Sequence, residues 1–122
     1  MAWNLDSDRP IYAQLIEIVQ MKIISGGYQP GEKLPSVRIL ATEASVNPNT
    51  MQKALSELEK SGLVITKRTS GRIVTEDIQM IQAARKDLAT LEITVFIKKM
   101  KKLGFEKESI LSLIQNILRE EK

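Results

Sequence analysis

Apolar residues recur near the start of the chain at the three- and four-residue steps of a helix. Ile11, Leu15, Ile18, Val19 and Ile23 make one stripe, broken only by Lys22; that spacing predicts an amphipathic helix. Asp8 stands where it could cap this helix, with Pro10 in the first turn, where a missing N–H costs nothing. Gly26 and Gly27 end it, and Gln29-Pro30-Gly31-Glu32 reads as a turn. Ser36 then suits the N-cap of a short helix from Val37 to about Ala44, whose inner face is Val37, Leu40, Ala41 and Ala44. Ser45-Val46-Asn47 is a three-residue connection. Asn47 can cap the next helix and Pro48 occupies its first position. This helix runs to about Lys60 or Ser61 and stops at Gly62, with Met51, Ala54, Leu55 and Leu58 inward.

The period then changes. Leu63 to Arg68 is β-branched and strand-like, Thr69-Ser70-Gly71 is a turn, and Arg72-Ile73-Val74-Thr75 is a second short strand. From Asp77 the helical period returns and holds to about Leu103, with Ile81, Ala84, Leu88, Leu91 and Val95 advancing by alternating steps of three and four. That is a heptad-like seam. Gly104 caps it, and a last helix from about Glu106 to Glu121 carries Ile110, Leu111, Ile114, Ile117 and Leu118 on one stripe. The fold class is mainly α with a small β-hairpin: a winged helix-turn-helix domain over 1–76, followed by a two-helix dimerisation segment over 77–122.

Composition narrows the chemistry. The 122 residues contain no cysteine and no histidine, which removes thiol nucleophiles, the usual general base, catalytic triads and most transition-metal sites. Glu57 and Glu59 lie two apart on one helix and so do not converge on a substrate. No catalytic step, no metal and no cofactor is expected. No apolar run is long enough to span a membrane, and the N-terminal residues lack the basic and apolar regions of a signal peptide. The expected location is the cytoplasm. Net charge is +3, and neither half is strongly basic, so charge alone does not point to nucleic acid.

The pattern of the middle segment does. Two short helices joined by a tight turn, the second opening in small polar residues, describe a helix-turn-helix, and a hairpin directly after adds a wing. An α-helix fits the major groove of B-DNA and reads it with short donors and acceptors near its N-terminus. Asn49, Thr50, Gln52 and Lys53 suit that role, with Asn47 and Arg38 beside them for the phosphate backbone. Arg68, Ser70, Gly71 and Arg72 would form a basic hairpin tip for a minor groove or its phosphates. A winged helix whose polar face docks a protein partner is the alternative reading of the same pattern. In the tail, Ile81, Ala84, Leu88, Leu91 and Val95, with Ile110, Ile114 and Ile117 from the last helix, are expected to meet a second copy. Lys98 to Lys102 is the most basic run and reads as a solvated helix end. Trp3, with Leu5, is expected to pack against the first helix or the dimer partner.

Residues 10–75 resemble the winged-helix domain of the GntR family of bacterial transcription regulators. The resemblance is carried by Pro10-Ile11-Tyr12 with Gln14-Leu15, by the run Gly27 to Arg38, by Val46-Asn47-Pro48-Asn49-Thr50 with Ala54-Leu55 and Leu58, and by Gly62-Leu63-Val64. The Asn-Pro-Asn-Thr form and the short helical tail are similar to the YtrA-like subfamily. The resemblance implies a homodimeric repressor on a pseudo-palindromic double-stranded DNA operator, with control of a transporter operon; the sequence leaves open whether a small-molecule effector exists. It implies that Arg38 contacts phosphate or base, and that Asn47, Asn49, Thr50 and Gln52 lie at recognition-helix contact positions, with Arg68, Ser70 and Gly71 at the wing tip. One departure stands out. The family wing often reads Arg-Gly-x-Gly, whereas this chain has Arg68-Thr69-Ser70-Gly71, which puts a side chain and a restricted backbone at Thr69.

Overall fold

In the computed structural model, residues 3–121 are described. Five helices and one hairpin follow in the order α1 (Ile11–Ile24), α2 (Val37–Ala44), α3 (Pro48–Ser61), β1 (Val64–Lys67), β2 (Gly71–Val74), α4 (Ile78–Lys102) and α5 (Lys107–Glu120). The chain divides into two compact units, the first ending at Ala84 and the second beginning at Arg85. The first two turns of α4 thus belong to the first unit, and the expected boundary at 76/77 falls just before that helix begins.

The first unit is built on the three apolar faces that the periodicity picked out. Leu15, Val19 and Ile23 from α1, Leu40, Ala41 and Ala44 from α2, and Met51, Ala54, Leu55 and Leu58 from α3 form one buried cluster. Leu34, Leu63, Val64, Val74 and Ile81 complete it. Burying such side chains contributes roughly 1.5–3 kcal/mol each, and this cluster fixes α3 with its opposite face outward. On α1 the buried set also includes Gln14 and Ile24, while Ile18 is only half-buried.

Asp8 does not cap α1. The N-cap position is Pro10 itself, without a side-chain cap. Gln14 does the work instead: its Oε1 accepts from Asp6 N at 2.7 Å, and its Nε2 donates to the carbonyls of Asp6 and Arg9 at 2.7 and 3.0 Å. One buried amide thereby holds the arm before α1, and all its strong polar atoms are satisfied. Trp3 and Leu5 pack against the core from that arm, and the Lys22 ammonium sits 4.5 Å from the Trp3 ring centroid.

The remaining helix boundaries follow their caps. Ser36 Oγ accepts from Ile39 N, and Asn47 Oδ1 accepts from Asn49 N at 2.7 Å. Gly62, at φ 89°, closes α3, and Gly104, at φ 98°, follows α4.

The hairpin pairs antiparallel with Val64 opposite Val74 and Lys67 opposite Gly71, leaving a three-residue turn at 68–70. The stretch expected to be a turn after α1 continues into a third line of pairing. Gly31 N donates to Val74 O, Val74 N to Glu32 O, and Leu34 N to Arg72 O, each at 2.9 Å. The wing is therefore covered along β2 by residues 31–34. In the second unit, Ile110 of α5 is buried, Ile114 is half-buried, and an apolar groove is lined by Ile93, Ile97, Ile110, Leu111 and Ile114.

Candidate nucleic-acid interface

The turn between α2 and α3 is tight because Ser45 adopts a left-handed conformation, φ 59° and ψ 45°. It is the only non-glycine with positive φ among the described residues. The hydrogen bond from Val46 N to Ala41 O at 3.0 Å holds the bend. Asn47 then starts α3, and its side-chain oxygen is committed to the helix, leaving its amide nitrogen outward as a donor. Asn49, Gln52 and Lys53 are exposed on the face opposite the buried Met51, Ala54, Leu55 and Leu58, while Thr50 is half-buried. The first turn of α3 carries no acidic residue, so its macrodipole and its side chains both favour an anion.

Lys53 is not a loose cation. Its Nζ lies 4.0 Å from the Tyr12 ring centroid, a cation–π contact from α1 across to α3. Arg38 is exposed on α2, where its carbonyl accepts the Thr42 hydroxyl at 2.9 Å.

In the wing, Arg68, Thr69, Ser70 and Gly71 are exposed. The turn places its left-handed residue at Gly71, φ 79°, and not at Thr69. Thr69 in place of a glycine is therefore accommodated by the backbone. Arg72 is different from the other candidates. Its Nε donates to Glu59 Oε1 at 2.6 Å, and the Thr66 hydroxyl donates to Glu59 Oε2, also at 2.6 Å. Thr66 first, then Arg72, hold the Glu59 carboxyl below its ordinary pKa against the opposing effect of burial. One carboxylate thus ties both strands of the wing to the last turn of α3. Sequence spacing did not single out Glu59, whose two partners are seven and thirteen residues away.

The wing turn faces the start of α2 across an open cleft of about 710 Å³, lined by Lys33 to Val37, Ile39 and Thr69 to Arg72. Three of the ten residues named from sequence, Ser70, Gly71 and Arg72, line this cleft. The others stand on the exposed faces of α2 and α3, at the α2–α3 turn and, for Arg68, at the wing turn. Among the described residues no group of three acidic side chains could hold a metal ion, and no helix is long and apolar enough to cross a membrane.

The candidate dimer residues separate. Ile81 is buried in the core of the first unit and Ala84 packs against that core, so the start of the seam is occupied within one chain. Ile110 is buried in the second unit. Leu91, Val95 and Ile117 are exposed, whereas Leu88 and Ile114 are half-buried.

A family model described as bacterial regulatory proteins, gntR family, matches residues 11–74, which span the first helix through the last strand. The chain belongs to the GntR family. This GntR chain is 37% identical over 112 residues to the uncharacterized HTH-type transcriptional regulator YhcF of Bacillus subtilis, covering 92% of this chain and 93% of that one. It is 38% identical over 97 residues to the HTH-type transcriptional repressor YtrA of the same organism, covering 80% and 70%. Among solved structures it is similar to a GntR family transcriptional regulator from Listeria monocytogenes, with TM-score 0.85, 39% identity, and coverage of 92% and 98%. The DNA-binding domain of AraR in complex with operator ORX1 is similar over 62% of this chain and 92% of that one, with TM-score 0.53 and 28% identity. The GntR resemblance read from the sequence, in its YtrA-like form, and the mainly helical winged fold both hold.

Proposed function

We propose that this GntR-family protein is a dimeric, sequence-specific DNA-binding repressor whose two recognition helices read a pseudo-palindromic operator in the bacterial cytoplasm. The observation that carries the reading is α3. Its inner face is fully buried, so Asn49, Gln52 and Lys53 are fixed on a rigid, outward helix face with their polar groups free of carboxylate partners among the described residues. Asn and Gln can pair bidentately with adenine edges, and Lys reaches guanine acceptors or phosphate. Arg38 and the amide of Asn47 fix register on the backbone, and Arg68, Ser70, Gly71 and the outer nitrogens of Arg72 grip the adjacent groove. The operator complex of AraR supports the same use of a similar domain.

Dimerisation is supported by surface that one chain leaves open. Leu91 and Ile117 are each more than half exposed, and clusters of large apolar side chains at a surface mark association sites. On α4 the helical step puts Leu88, Leu91 and Val95 on the side opposite Ile93 and Ile97, which line the groove beside α5. A two-fold dimer formed through that side would carry two α3 helices, one for each half-site. The protein has no catalytic step: it represses by covering an operator that overlaps a promoter, and a transporter operon is the proposed target.

A titration of the purified protein against duplex from its own upstream region, at two salt concentrations and with random duplex as competitor, tests the reading. Selective binding that weakens steeply with salt is expected, because neutralised phosphates release counterions. Salt-insensitive or absent binding to every duplex would instead favour a protein-docking winged helix.

A further inference from the structure

The cleft between the wing turn and the start of α2 has a chemical character that the candidate residues named from sequence do not explain. Its walls are apolar at Pro35 and Ile39, the latter 54% exposed to water, and hydroxylic at Ser70. It contains two cations. Arg72 is already matched by the Glu59 carboxylate at 2.6 Å. Lys33 is exposed and pairs with no carboxylate among the described residues. Its position is nonetheless fixed, because residues 31–34 pair along β2 and Leu34 N donates to Arg72 O. Lys33 Cε lies 3.9 Å from where a Cβ on Gly71 would stand, so the side chain runs alongside the wing turn.

We propose that this cleft seats one phosphodiester of the DNA backbone, with Lys33 supplying the uncompensated positive charge. The match is of shape and polarity together. A deoxyribose–phosphate unit offers an apolar sugar face and an anionic oxygen pair. The cleft offers an apolar wall, a hydroxyl and a cation, and it is open to solvent as a continuous strand requires. Lys33 is thus a backbone contact that fixes the wing on the duplex and carries no base preference. The inference rests on the DNA-binding reading.

The test is the salt dependence of duplex binding by the full chain and by Lys33→Gln and Lys33→Arg. Lys33→Gln is expected to weaken operator and random duplex by the same factor, about three- to tenfold at low salt, and to flatten the slope of log K against log[salt] by about one. Lys33→Arg should keep both affinity and slope. Thermal unfolding of the two variants controls for folding, since the backbone pairing of Lys33 does not depend on its side chain. An unchanged slope in Lys33→Gln, or a loss confined to the operator, overturns the proposal while leaving DNA binding by the wild type intact. If the wild type itself binds no duplex, the functional reading fails with it. Inorganic phosphate at matched ionic strength should not displace duplex; displacement from the wild type but not from Lys33→Gln would reassign the cleft to the free anion and overturn the proposal.

Discussion

Glu59 accepts two short hydrogen bonds from the wing, one at each carboxylate oxygen, and both partners favour its ionised form. A carboxyl held below its ordinary pKa stabilises the fold above the unfolded-state pKa, and that stabilisation is lost as pH falls through the lowered value. Glu59→Gln should therefore cost about 1 kcal/mol at neutral pH, a modest figure because the group is partly exposed. The difference from the wild type should shrink between neutral pH and a pH below the ordinary carboxylate range. Urea unfolding at the two pH values measures it, and a difference that persists in acid would deny Glu59 this role. The same residue shows what local pattern conveys and what it does not. Asn49, Gln52 and Lys53 were legible as an outer face because helical spacing assigns faces directly. The Glu59–Arg72 pair was not, because it depends on how the hairpin folds back onto α3.

At the scale of elements, caps and breakers were the most informative residues. Ser36, Asn47 with Pro48, Gly62 and Gly104 bound their helices where the sequence suggested, because each satisfies or releases the backbone at a helix end without tertiary help. Asp8 misled because Gln14 reaches back from the first turn of α1 to hold the arm instead. The pairing of residues 31–34 escaped notice for a similar reason. Pro30 and Gly31 signal a turn, and the strand-like pairing begins inside it. Asn47 caps α3, and the proposed reading gives it a second role at the DNA backbone that substitution can separate from the first. Asn47→Ala should lose about 1 kcal/mol of stability with the cap, as well as DNA affinity. Asn47→Asp should restore the stability, since aspartate caps as well, but bind duplex more weakly than the wild type because it removes a donor and adds a negative charge near phosphate. Thermal unfolding beside a DNA titration of both variants checks this; equal affinity for wild type and Asn47→Asp would remove the side chain from the interface.

At the scale of the whole molecule, the helical tail is where sequence spacing conveyed least. A seam of alternating threes and fours does not say whether its partner is the same chain or another, and Ile81 and Ala84 are taken up by the first unit. Leu91 is the cleaner probe of association, since 58% of its surface is open in the single chain. Leu91→Asp should leave both units folded and raise the dimer dissociation constant by about two orders of magnitude or more, by placing an unpaired charge in the interface. Sedimentation at micromolar concentration reads this, and an unaltered dimer would move the contact to another face. The aromatic residues bear on how such experiments are read. Trp3, Tyr12 and Tyr28 all belong to the first unit, and the second contains only Phe96 and Phe105. Indole emission, set by a ring with a lysine ammonium 4.5 Å from its centre, is thus a built-in optical label for the winged unit. Far-ultraviolet dichroism weighs the helices of both units together. Unfolding curves from the two signals that coincide would mean the units melt as one, and curves that part would time the loss of each separately.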